Sequence, residues 1–76
     1  MIEREEHEWG VRLTTHPFAG MKYNSEMLIQ AEVRGKTIKI WFSGTVVQHA
    51  LKRPDAITWM THMRAIFDAA QAELPR

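Results

Sequence analysis

A chain of 76 residues with 10 Lys and Arg against 9 Asp and Glu is a single domain, near the size at which one hydrophobic core only just suffices. It has no cysteine, which excludes a disulfide framework and thiolate metal sites, and its apolar runs are far too short to span a membrane. The charged opening MIEREEHEWG does not read as a signal peptide, so a cytoplasmic protein is expected. Homodimerisation is one way for so small a chain to gain stability.

Residues 1–7 read as a flexible, solvated arm, and over residues 1–8 Glu3, Glu5, Glu6 and Glu8 outweigh Arg4 and make it acidic. From Glu8 to Thr15, Trp9, Val11 and Leu13 alternate with Gly10, Arg12 and Thr14, the period of a half-buried strand. His16-Pro17 ends it, because proline removes a ladder donor and restricts the residue before it. Residues 18–25 form a loop too long for a tight hairpin. Its Phe18, Met21 and Tyr23 either cover the core edge or face a partner.

Met27 to Phe42 carries the strongest pattern. With Gly35-Lys36 as a two-residue turn, Val33 falls opposite Ile38, Ala31 opposite Ile40 and Ile29 opposite Phe42. One face is then apolar. The other pairs Arg34 with Thr37, Glu32 with Lys39 and Gln30 with Trp41.

Ser43-Gly44 breaks the strand, and Thr45 to Gln48 has the spacing of a capping box. A short helix over Val46 to Arg53 would stop at Pro54. The β-branched pair Val46-Val47 leaves a fourth strand as the rival reading. Asp55 is the expected N-cap of a longer helix, in which Ala56, Trp59, Met60, Met63, Ile66, Phe67, Ala70 and Leu74 recur mostly at spacings of three and four. The expected architecture is α+β: a three-stranded antiparallel β-meander, with a short helix and a longer C-terminal helix packed on one face.

No catalytic motif is visible. His7, His16, His49 and His62 are scattered, no His pair has the i, i+4 spacing of a metal site, and no glycine-rich phosphate loop occurs. A non-enzymatic protein without cofactor or metal is therefore expected. The open sheet face should carry Arg12, Thr14, Leu28, Gln30, Glu32, Arg34, Thr37, Lys39 and Trp41. Exposed aromatics among arginines are the composition of protein interface hot spots. The candidate partner-binding residues are Trp41, Arg12, Lys39, Arg34, Leu28, Gln30, Tyr23 and Phe18.

The expected function is protein binding by occlusion, in the manner of a stoichiometric inhibitor. Small size and the lack of chemical motifs suit phage and mobile-element inhibitors, anti-CRISPR proteins among them. Residues 9–54, where Lys and Arg outnumber Glu, supply the alternative: single-stranded nucleic-acid binding on the same face.

Overall fold

The computed structural model describes residues 2–22, 25–43 and 53–75. Four strands follow one another, β1 (Ile2–His7), β2 (Gly10–Thr15), β3 (Leu28–Arg34) and β4 (Thr37–Ser43), and then a helix, α1 (Arg53–Ala72). The strands form one antiparallel meander in the order β1-β2-β3-β4.

The β3–β4 hairpin has the expected register throughout, from Arg34↔Thr37 to Ile29↔Phe42. Gly35 opens its turn at a φ of 59°, a conformation that glycine adopts without steric cost. Leu13, Ile29, Ala31 and Val33 from the sheet meet Ile66 and Ala70 of α1 in the core. Val11, Ile38, Ile40, Trp59 and Met63 pack around them, partly buried.

The α+β class stands, but the described residues form four strands and one helix in place of the expected three strands and two helices. The segment expected to be a loose arm is β1, paired along its whole length with β2. Its charges suit an edge strand, where they discourage pairing with other chains. Ile2 packs against the core, and Arg4 reaches the far end of α1. The expected short helix and the capping box at Thr45 lie outside the described residues, except that Arg53 is the first residue of α1.

The long helix also differs in detail. It begins at Arg53, so Asp55 lies inside the first turn, where its charge favours the helix dipole, and is not the N-cap. At the other end, Glu73 N–H donates to the Ala70 carbonyl (3.1 Å) and Leu74 N–H to that of Gln71 (3.2 Å). These i→i−3 bonds tighten the last turn. Phe67, expected in the core, is 49% exposed.

Trp9 is the other correction. It lies in the β1–β2 turn, and the turn carries its ring away from the core face of Val11 and Leu13. Gly10 follows with φ at 145°, and a Cβ there would stand 2.0 Å from the Val33 carbonyl oxygen. Only glycine lets β2 approach β3 this closely at that point.

Candidate partner-binding surfaces

The sheet face opposite α1 is organised in cross-strand rows. One row runs Glu5, Arg12, Glu32, Lys39, alternating in charge across all four strands, and the next runs Glu3, Thr14, Gln30, Trp41. Glu32 is the hub. Its side chain is only 9% exposed, and it accepts bonds from Arg12 Nη2 (2.8 Å), Arg12 Nε (3.1 Å) and Arg34 Nη2 (3.2 Å). Those bonds, Arg12 foremost, hold the Glu32 carboxyl below the usual glutamate range against the opposing effect of burial.

Arg34 also lies over the Trp9 ring, 3.9 Å from its centre, and His7 stacks on Trp9 at 4.6 Å. Two aromatic residues, Trp9 and Trp41, thus share this face. Glu32 stands opposite Lys39 as the register predicts, but its carboxylate bonds the two arginines, and Lys39 Nζ lies 5.5 Å over Trp41. Gln30 donates to Thr14 Oγ1 at 3.1 Å.

Most of the sequence-predicted residues therefore gather on one face. Trp41, Gln30 and Arg12 are half-buried there, Lys39 and Arg34 are exposed, and Leu28 stands at the start of β3 opposite Ser43. Phe18 does not join them. It is 1% exposed and stacks on Trp59 at 6.5 Å, so it is a core residue and cannot meet a partner. Tyr23 lies outside the described residues.

The other side of the molecule holds a second surface. α1 lies mainly over β3 and β2, leaving the apolar side of β4 partly uncovered. Phe42 is 39% exposed and meets the Trp59 ring edge-on at 5.4 Å. Beside them runs a groove of about 480 Å³ lined by Ile57, Trp59, Met60, Met63, Arg64 and Phe67, with Thr61. Met60 is 66% exposed and Ile57 54%. Arg64 is exposed and makes no hydrogen bond or ion pair among the described residues.

Sequence periodicity missed this surface because it sought one stripe. Ile57, Met60, Arg64 and Phe67 are spaced three, four and three residues apart, a second stripe beside that of Trp59, Met63, Ile66 and Ala70. Apolar residues on two sides of one helix are the signal that could have found it.

Among the described residues no group of three His, Asp or Glu side chains could hold a metal ion. His62 Nδ1 lies 2.9 Å from Thr15 Oγ1, in a part-buried pair beneath α1. Thr15 is 1% exposed, so its hydroxyl is out of a substrate's reach. His49 lies outside the described residues. No helix among the described residues is long and apolar enough to cross a membrane. Set against protein-family models, curated proteins and solved structures, the chain finds no match.

Proposed function

We propose that the protein is a non-enzymatic binding module that acts by occlusion, seating a partner protein's amphipathic segment in the α1 groove. The observation that carries this reading is the pairing of the groove with Arg64. Large apolar side chains stand exposed there beside a cation that has no ion-pair partner among the described residues. Arg12 and Arg34 on the sheet face are already bound to Glu32. The fitting partner segment carries apolar side chains and a carboxylate for Arg64. Met60 and Met63 supply adaptable walls for it. A cytoplasmic setting and an inhibitor role belong to the same proposal, and the cysteine-free composition agrees with the former.

Met60→Lys and Phe67→Lys change exposed positions, so both variants should keep the native circular dichroism spectrum. Each should lose the binding partners that the wild-type chain retains in quantitative affinity capture. Retention of every partner by both variants would sink the groove as the binding site.

The presence of Trp9 and Trp41 on the same sheet face favours a second reading, in which that face stacks the bases of a single strand. Fluorescence anisotropy with labelled DNA and RNA oligonucleotides decides it. Binding that weakens steeply with salt and is lost in Trp41→Ala would replace the groove reading with this one. No binding at low salt eliminates it.

A further inference from the structure

We infer that the outer edge of β4 is a homodimerisation site, at which a second copy's β4 pairs antiparallel about a two-fold axis through Ile40. The inference does not depend on the groove reading. Arg34 and Thr37 close the two-residue turn as a hydrogen-bonded pair, so Thr37, Lys39 and Trp41 turn their N–H and C=O groups toward β3. Ile38, Ile40 and Phe42 turn theirs outward. Among the described residues nothing pairs with that edge.

The two edges of the sheet are built differently. β1 presents Glu3, Arg4, Glu5, Glu6 and His7 in succession, the charged composition that blocks strand addition. β4 reads TIKIWFS, with Lys39 as its single charge and three apolar residues on one face. An edge of that composition is the one suited to pairing with another chain.

The side chains then select the partner and the register. Ile40 is the midpoint of Thr37–Ser43, so a two-fold axis there overlaps the two strands fully. Ile40 meets Ile40 of the second copy, and Ile38 meets Phe42. All three residues turn backbone groups outward, and each of the resulting residue pairs exchanges both of its backbone hydrogen bonds. On the opposite face, Lys39 of each copy stands across from Trp41 of the other. Within one chain the same two residues already attract, at 5.5 Å. An axis at Lys39 would instead set two ammonium groups directly opposite, which destabilises a strand pair. The sequence of β4 is thus self-complementary in the register that makes the most hydrogen bonds. The product is one continuous sheet running through both copies.

The test uses the full chain. Sedimentation equilibrium from micromolar to near-millimolar concentration should show a reversible monomer–dimer equilibrium. Trp41→Lys puts a second ammonium group directly across from Lys39 of the other copy and should weaken the dimer by about tenfold or more. Lys39→Glu combined with Trp41→Lys restores opposite charges and should recover dimerisation. Residue-resolved amide exchange of the wild type needs no variant to fold. Raising the concentration should slow exchange at Ile38, Ile40 and Phe42, while Lys39 and Trp41, bonded to β3, stay protected at every concentration. A chain that is monomeric throughout overturns the proposal. So does a dimer indifferent to Trp41→Lys, or concentration-independent exchange at Ile38, Ile40 and Phe42.

Discussion

Arg4 and Glu73, 69 residues apart, meet through two parallel hydrogen bonds, from Arg4 Nε at 2.7 Å and from Nη2 at 3.0 Å. The bidentate pair ties the first strand to the end of the helix. Arg4 also bonds Glu6 at 2.9 Å, so its guanidinium is shared between the β1 edge and α1. Arg4→Ala should therefore loosen β1 selectively. Amides of Ile2–His7 should exchange several-fold faster, while those of Ala31 and Val33 at the sheet centre keep their rates. Uniform acceleration across all four strands would show that β1 has no separate anchorage.

Two glutamates make the fold sensitive to acid. The Glu32 carboxyl is held low chiefly by its Arg12 bond, and that of Glu73 by its Arg4 bond. A folded-state pKa below the unfolded one gives stability that is complete above the unfolded value, roughly 4.3, and is lost as pH falls through the folded value. Denaturant midpoints should fall as pH drops below about 4. Glu32→Gln should reduce that slope and, by releasing Arg34, alter the fluorescence of Trp9.

His62 acts in the same direction at higher pH. Burial, the largest cause, holds it below the ordinary value of 6.5. Its neutral form is favoured in the fold, so its contribution is present above pH 6.5 and is lost as pH falls below it. Thr15→Val removes the hydroxyl bonded to Nδ1 and should cost about 1 kcal/mol at pH 7. An NMR titration of His62 that finds its pKa above 6.5 would contradict this account.

Gly10→Ala should be among the most damaging single changes. The new Cβ would fall 2.0 Å from the Val33 carbonyl oxygen, at a φ that side chains rarely adopt. Neither backbone can yield without breaking the β2–β3 ladder. A loss of about 2 kcal/mol or more is expected, seen as a fall in Tm of roughly 10 °C or more. A Tm unchanged within a degree or two would mean that the turn relaxes freely.

Ile66→Ala tests the helix–sheet contact. Ile66 is fully buried in the core with Leu13, Ile29 and Ala31, so truncation leaves a cavity costing about 2–5 kcal/mol. Met60→Ala, earlier on the same helix at an exposed position, should change stability by less than about 0.5 kcal/mol. The contrast separates the core stripe from the groove stripe on one helix.

The sequence by itself determined the β3–β4 hairpin, a strand expected over Glu8–Thr15 and found over Gly10–Thr15, the long C-terminal helix and the gathering of Trp41, Arg12, Lys39, Arg34 and Gln30 on one face. Each follows from a local rule: a glycine turn sets the register, alternation sets the face, and three-four spacing sets the stripe. Tertiary structure alone decided the rest. IEREEH has too little apolar character to read as a strand, and it becomes one because β2 offers a ladder and Glu73 a partner for Arg4. Phe18 reads as a loop residue that either covers the core edge or faces a partner, and the chain folds it against Trp59. Trp9 reads as core, but the turn carries it onto Arg34. Phe67 falls within the helix stripe, yet α1 sits over β2 and β3, so this residue is left lining a groove beside Arg64. Periodicity tells which residues of an element lie together. Where that element sits on the sheet depends on packing between residues far apart in the chain.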